Sequence, residues 1–161
     1  MAKGFVHIDP TQIKALRADI NTRQHELVTN LKVAADEVLL NTEADAKALS
    51  PRDSGRLEQS IHSSNASYHM GKISGVVGSN LVYALRRHEE KPRIGTYHKY
   101  DHHVRYDNYY YNGRGELTRA KPNVGEFSPG RKYLENAQTL NQENWKNHLQ
   151  KAVKRTYKGL G

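Results

Sequence analysis

The densest group of potential metal ligands in the sequence lies at residues 98–103. It consists of His98, Asp101, His102 and His103, whose imidazole and carboxylate groups are good ligands for transition metals. Neighbouring residues of a strand point to opposite faces, so His102 and His103 would not share one metal ion there. His98 and His102 would share a face only in a helix, which the composition of this stretch does not favour. We therefore interpret the stretch as an exposed polar segment and expect no metal or other cofactor.

A second group, His88, Glu89 and Glu90, has the side-chain types used in general acid–base catalysis. Such catalysis needs a nucleophile or a substrate pocket, and the sequence nominates neither. It contains no phosphate-binding glycine loop, nucleotide-binding fingerprint or nucleophile elbow. The absence of cysteine excludes disulfides, zinc–thiolate sites and thiol catalysis. We expect His88 to be packed and hydrogen-bonded to a neighbour, and the chain not to be an enzyme.

Aromatic side chains are concentrated in residues 91–129, which hold six of the ten tyrosines. Tyrosine and arginine are enriched in protein interfaces, and the same residue types also suit stacking on bases beside neutralised phosphates. A plain strand with outward tyrosines is a third interpretation. The pattern favours a protein interface. The candidate subunit-interface residues are Tyr97, Tyr100, Arg105, Tyr106, Tyr109, Tyr110 and Tyr111.

The chain has a formal net charge of +8, and its excess of cations lies downstream of the N-terminal third. A basic surface suits nucleic acid, an acidic protein or an anionic membrane. Five cations are grouped near the C-terminus: Lys146, Lys151, Lys154, Arg155 and Lys158. The macrodipole favours cations at a helix C-terminus, which limits what this group says about DNA. No apolar run approaches the ~20 residues that span a bilayer, so we expect no membrane partner.

The elements that must position these residues begin with a long helix at residues 10–49. Asp9 can cap its start, and Pro10 suits the first helical position. Its apolar residues repeat at the spacing of one helical stripe, which Asp45 interrupts near the end. Unbroken, such a helix would span about 60 Å, more than the diameter of a small domain. It should therefore kink or pack along neighbouring subunits.

Periodicity and turn residues predict the elements that follow. They are an antiparallel hairpin over 57–79 (strands 59–69 and 72–79), a short helix over 81–90, an extended loop or hairpin arm over 91–129, and a C-terminal helix over 130–157. A structureless loop as long as the arm would be unusual in a compact domain. The prediction is a single α+β domain over residues 1–161. An antiparallel sheet is packed by the two long helices, and a Tyr/His-rich arm extends from it.

Three short segments, taken in order, resemble the signatures of a known family. Residues 51–61 are similar to its Pro-x-x-Thr-Gly-x-Leu-x-x-Ser-Ile motif, with serine in place of threonine. Residues 76–89 are similar to its Val-Gly-Ser/Thr-Asn-x-x-Tyr-Ala-x-x-x-His-Glu motif. Residues 132–137 match the closing Lys-Phe/Tyr-Leu-x-x-Ala that precedes a terminal helix. The family comprises the small neck proteins of tailed bacteriophages, variously called minor capsid, head–tail joining or tail-completion proteins.

The resemblance implies structural roles for the matched residues. They are Pro51, Ser54, Gly55, Leu57, Ser60, Ile61, Gly78, Tyr83, Ala84, His88, Glu89, Lys132, Tyr133, Leu134 and Ala137. The residue types agree with such roles. Gly55 permits a positive φ at a turn, the Ser54 hydroxyl can cap, and Leu57 can face the core together with Ile61. Tyr83 and His88 offer an apolar body with a polar tip that can fix the short helix.

The resemblance further implies that many copies of the chain form a ring at the neck of a virion. The ring would join the head connector or adaptor to the tail terminator or tail tube around a channel that holds DNA. The chain would then be found in virions, and in the host cytoplasm during assembly. Two other hypotheses stand beside it. A basic nucleic-acid-binding protein of DNA packaging or organisation predicts strong, salt-dependent binding to random DNA, and a metal-dependent hydrolase predicts a bound transition metal.

Overall fold

A computed structural model of the protein describes residues 10–89 and 116–158. Its elements in chain order are α1 (Pro10–Leu49), α2 (Arg56–Gln59), β1 (Ile61–Ser63), β2 (Ser67–His69), β3 (Lys72–Ser74), β4 (Val77–Ser79), α3 (Ala84–Glu89), α4 (Glu116–Arg119) and α5 (Tyr133–Thr156). The fold is α+β, with small antiparallel sheets packed by two long helices, as the sequence predicts. The predicted first helix is confirmed at both of its ends.

Helices α1 and α5 lie side by side and run antiparallel. They touch through three polar pairs: Asp45 with Asn141, Glu37 with His148, and Asn30 with Thr156. Residue numbers fall along α1 while those of the contacting residues rise along α5, which is the antiparallel arrangement. The first pair explains why Asp45 interrupts the apolar stripe. Its Oδ2 accepts a hydrogen bond of 2.6 Å from the side-chain amide of Asn141, which is buried and needs a partner.

The N-terminal half of α1 continues beyond the helix pair. Thr156, the last residue of α5, lies level with Asn30, so residues 10–29 extend past it by about 30 Å. We call residues 10–29 the overhang. It carries exposed apolar side chains, with Leu16 at 60% and Ile20 at 53% of full exposure. These residues belong to the same helical stripe that packs against α5 further along α1.

The predicted hairpin forms two separate antiparallel pairs rather than one continuous ladder. β1 pairs with β4, and β2 pairs with β3 across a turn at Met70 and Gly71. Between the two pairs, residues 64–66 face only residues 75 and 76, so the strands slip by one residue, as in a β-bulge. Asp36 Oδ1 of α1 accepts the backbone N–H of Ala66 within this interruption (2.6 Å). The predicted start of the hairpin at residue 57 is also wrong, because residues 56–59 form α2.

Two other predicted boundaries are corrected by backbone geometry. The short helix begins at Ala84 rather than 81, after a turn in which the Ala84 N–H donates to the Leu81 carbonyl (2.9 Å). The last helix begins at Tyr133 rather than 130, because Lys132 has a positive φ of 59° that is not helical.

The end of the predicted arm is part of the folded body. Residues 116–129 contain α4 and a small bridge between Val124 and Phe127. The Thr118 hydroxyl, 1% exposed, accepts the N–H of Arg52 (2.8 Å) and donates to its carbonyl (3.1 Å). This contact holds the segment against the end of α1. Residues 90–115 lie outside the described part of the chain.

The core consists of two apolar clusters along α1. The larger contains Ala46, Leu49, Leu57, Ile61, Ala84, Tyr133 and Ala137. The smaller contains Ala35, Leu39 and Ala66, with Trp145 and Leu149 of α5 packed against it. Gly75 lies on the smaller cluster, and a Cβ there would clash with the Leu39 side chain. Glycine at this position therefore allows the strands to approach α1 closely.

Gly55 has the positive φ that its place in the turn predicts, at 83°. Any side chain there would be held in the left-handed region, so we expect Gly55→Ala to lower the free energy of unfolding by about 1–2 kcal/mol. Gly78→Ala is the matched control, because a Cβ meets no heavy atom within 4 Å at either site and Gly78 has no positive φ. Urea unfolding measures both variants. Equal stability of the two would contradict the turn geometry.

Candidate functional site

The three segments that carry the family resemblance meet around Tyr133, at a place that we call the motif junction. Tyr133 is fully buried, and one cluster joins it to Leu57 and Ile61 of the first segment and to Ala84 of the second. The Tyr133 hydroxyl donates to the Ala84 carbonyl over 3.4 Å. Burial raises the pKa of the Tyr133 phenol to about 12, so the group stays neutral over the ordinary pH range.

His88 closes one side of the motif junction. Its ring meets the Tyr133 ring edge to face, with centroids 5.2 Å apart and planes at 74°, which is a favourable aromatic geometry. Its Nδ1 lies 2.8 Å from Glu89 Oε1. The expectation of a packed histidine with a hydrogen-bonded neighbour is therefore confirmed. The other ring nitrogen, Nε2, is buried and has no hydrogen-bond partner among the described residues.

Lys132 ties the second and third segments together. Its backbone N–H donates to the His88 carbonyl (2.9 Å), and its Nζ lies 2.8 Å from Glu89 Oε1 and 3.1 Å from Glu135 Oε2. The hydrogen bonds from Lys132 and then from His88 hold the pKa of Glu89 below its usual value. The same contacts, Glu89 first, raise the pKa of Lys132. The positive φ of Lys132 allows the backbone and the side chain to reach α3 together.

A pair of serines ties the first segment to the second. Ser60 Oγ donates to the Leu57 carbonyl (2.7 Å), so the hydroxyl of Ser79, 2.7 Å away, is the donor between the two side chains. Ser79 Oγ in turn accepts the backbone N–H of Leu81 (3.2 Å). The serine that the first motif specifies thus positions the turn that leads into α3.

Two further motif residues belong to the motif junction: Ala137 is fully buried in the same cluster as Tyr133, and Leu134 packs against that cluster. Pro51 is half-buried, and Tyr83 is 40% exposed. The predicted capping role of Ser54 is wrong. The residue at the helix N-cap is Gly55, and α2 has no side-chain cap.

Lys121, which lies outside the motifs, ties the segment after α4 to the C-terminus of α1. Lys121 Nζ donates to the Lys47 carbonyl (2.8 Å) and the Ser50 carbonyl (3.0 Å) at the C-terminus of α1. The Lys47 carbonyl also accepts from the N–H and the hydroxyl of Ser50. Burial lowers the pKa of Lys121 although Glu58 lies 3.5 Å away. A cation is favourable at a helix C-terminus. Lys121 is more than seventy residues away in the sequence from the carbonyls that it contacts, so no local sequence pattern predicts this contact.

Glu43 anchors β1 to α1. Its Oε2 accepts the backbone N–H (2.6 Å) and the hydroxyl (2.7 Å) of Ser63, and its Oε1 accepts from Lys47 Nζ (2.5 Å). These hydrogen bonds, that of Lys47 first, lower the pKa of Glu43 from 4.5 to about 2. The charged carboxylate is therefore the form that stabilises the fold.

The lowered pKa of Glu43 predicts a specific acid sensitivity. Its contribution is complete above about pH 4.5 and is lost as the pH falls toward 2, because the carboxyl must then be protonated. We expect Glu43→Gln to cost up to about 3 kcal/mol of unfolding free energy at neutral pH. The gap to the wild type should narrow between pH 4.5 and 2. Urea titrations across this range measure it, and a gap that is independent of pH would contradict the role of Glu43.

The predicted subunit-interface residues lie outside the described part of the chain. They are Tyr97, Tyr100, Arg105, Tyr106, Tyr109, Tyr110 and Tyr111, and the candidate metal ligands at residues 98–103 lie outside it as well. Within residues 10–89 and 116–158, no group of three or more His, Asp or Glu side chains is placed to hold a metal ion. No helix in the same ranges is long and apolar enough to cross a membrane.

An open groove of about 700 Å³ lies between α1, α5 and the strands. Its apolar lining comprises Val38, Leu39, Ile73, Val77, Leu134 and Trp145. A smaller cavity of about 420 Å³ lies beside the motif junction, where Ser79, His88 and Glu89 line it. Leu134, Glu135 and Gln138 line both spaces, so the groove continues from the helix pair to the motif junction.

Comparisons with known proteins add no family assignment to this geometry. No protein-family model, no curated protein and no solved structure matches the chain.

Proposed function

We propose that this chain is a structural protein of the tailed-bacteriophage neck, where copies of it form a ring that joins the head connector to the tail. The observation that carries the proposal is the motif junction. Three segments, separated in sequence and each similar to the same family, pack on one another around Tyr133. A shared structural role of the three motifs predicts that they pack together, and this packing is what supports the proposal.

The overhang supports association between copies of the chain. Leu16 and Ile20 are exposed although they continue the stripe that packs against α5, and an unsupported helix of this length is marginal in water. Covering this stripe with a partner would therefore stabilise both the helix and the assembly.

The groove offers a surface on a second copy that the overhang fits. The overhang cannot fill the groove of its own chain, because Ile20 and Val38 lie on one helix about 27 Å apart. An apolar ridge and an apolar groove on different parts of one chain make a head-to-tail contact, and such contacts close into rings when the rotation permits. In the proposed ring, the overhang of each copy lies against the groove of the next.

The polar residues of the motif junction have structural tasks in this proposal. Lys132 joins two segments through hydrogen bonds to Glu89 Oε1 (2.8 Å) and to the His88 carbonyl (2.9 Å). His88 packs on Tyr133 while it contacts Glu89. We accordingly propose that the chain is not an enzyme.

Quantitative mass spectrometry of purified tailed particles tests the proposal. The expected result is that the chain is present in several copies per particle and remains after particles are washed free of host protein. Absence of the chain from intact, infectious particles that carry its gene would contradict it.

A further inference from the structure

The C-terminal part of α5 and the turn after it present one stripe of cations to solvent. The stripe consists of Lys151, Lys154, Arg155 and Lys158, which we call the basic stripe. Their spacing of three and four residues places them on one helical face. All four are exposed, and no ion pair joins any of them to another described residue. The buried residues of the same turns, Ala152 and Thr156, lie on a different face.

Helix stability does not account for the basic stripe. Like charges three or four residues apart repel one another and destabilise a helix. The macrodipole favours cations in the last turn, where Lys154 and Arg155 lie, but Lys151 precedes that turn. No acidic residue follows Glu143 in the sequence. The arrangement therefore keeps several positive charges close together, with no carboxylate of residues 10–89 or 116–158 paired to them, which suits a polyanion.

The neighbours of the basic stripe favour a phosphate backbone over a lipid surface. Asn144, Asn147 and His148 continue the same face toward the N-terminus of α5, so the face is polar throughout. His148 meets Glu37 of α1 at its margin, 3.2 Å away. A membrane-surface helix would pair its cations with a broad apolar face inserted into lipid. In α5, Trp145, Leu149 and Ala152 are packed on the fold, and the apolar side chains left exposed beside the stripe are Val153 and Tyr157, at 40% and 41% of full exposure. Lysine, arginine and asparagine are the side chains that commonly contact phosphate oxygens.

We infer that the basic stripe binds the phosphate backbone of duplex DNA without sequence preference. From Asn144 to Lys158 the polar face extends over about 20 Å, more than half of the ~34 Å turn of a DNA duplex. This inference goes beyond the neck proposal and does not depend on it, because the stripe is complete within one chain.

The test measures binding of the full chain to a random duplex of about 30 base pairs by fluorescence anisotropy, between about 50 and 200 mM NaCl. Each phosphate contact contributes about −0.9 to the slope of log K against log salt, so four cations predict a slope of about −3 to −4. The K151Q/K154Q/R155Q variant should reduce the magnitude of the slope by nearly three and weaken binding at least about tenfold at the lowest salt.

A matched variant, K14Q/R17Q/K72Q, removes the same charge from exposed positions outside the basic stripe. It should keep the wild-type slope, and circular dichroism should show both variants folded. Equal losses in the two variants, or no binding by the wild type, would overturn the inference. Tighter binding to phosphatidylserine vesicles than to DNA would overturn it as well and assign the stripe to a lipid surface. The neck proposal has its own test, the presence of the chain in purified particles, so failure of one proposal is distinguishable from failure of the other.

Discussion

Replacing Tyr133 by alanine is expected to lower the free energy of unfolding by about 3–5 kcal/mol, the usual cost of removing a large aromatic side chain from a core. The phenol ring is fully buried where α1, the β1 segment, α3 and α5 meet. The cavity would open between elements that are held apart by their own contacts, so the surroundings could not collapse into it. For a chain of this length the melting temperature should fall by roughly 10–15 °C.

Two further variants separate the ring from the hydroxyl and from its position in the fold. Tyr133→Phe keeps the ring and loses only the long hydrogen bond of 3.4 Å to Ala84, so it should cost less than about 1 kcal/mol. Tyr157→Ala removes a tyrosine that is 41% exposed and should change stability little. Thermal and urea unfolding measure all three. A Tyr133→Ala variant no less stable than Tyr157→Ala would contradict the central position of the motif junction.

The double variant Leu16→Asp with Ile20→Asp is expected to block assembly while the single chain stays folded. Both side chains are more than half exposed in the chain alone, so their loss removes little packing from it. In a ring they would be covered, and burying each contributes about 1.5–3 kcal/mol. The contact between copies should therefore weaken by a factor of about 100 or more. Complementation of a gene-deleted phage, followed by quantification of the chain in particles, measures the effect.

A control variant introduces two aspartates on the opposite face of the overhang. Ala18→Asp with Thr22→Asp repeats the spacing at exposed positions away from the apolar stripe, and this variant should enter particles normally. Both variants should keep the wild-type unfolding midpoint. Normal incorporation of the Leu16/Ile20 variant would show that the overhang is not an interface.

Local sequence patterns predict the helices well and the sheet less well. Pro10 and Pro51 mark the ends of α1, and the apolar stripe with no Gly or Pro in residues 11–50 predicts one long helix between them, because a helix depends on local spacing. The strands depend also on contacts from outside their own segment. On α1, Asp36 accepts the backbone N–H of Ala66, and Glu43 accepts that of Ser63. No pattern within residues 57–79 predicts these two acceptors.

In the candidate site too, local features are predicted from the sequence and long-range contacts are not. The Gly55 turn and the packed His88 follow from residue type and neighbours, and the structure confirms both. The residue type of Ser54 also predicts a helix cap, but this prediction is wrong, because Gly55 occupies the N-cap of α2. The cap that Lys121 places on α1 depends on the path of the whole chain. Asp45 is different, because a carboxylate within an apolar stripe indicates that a polar partner must lie opposite it. That partner is Asn141.

Electron microscopy of the assembled particle tests the central claim most directly. The account predicts several copies of this chain around the axis between connector and tail, with the overhang of each copy against the groove of its neighbour. A complete reconstruction of that region in which every density belongs to other proteins would contradict it.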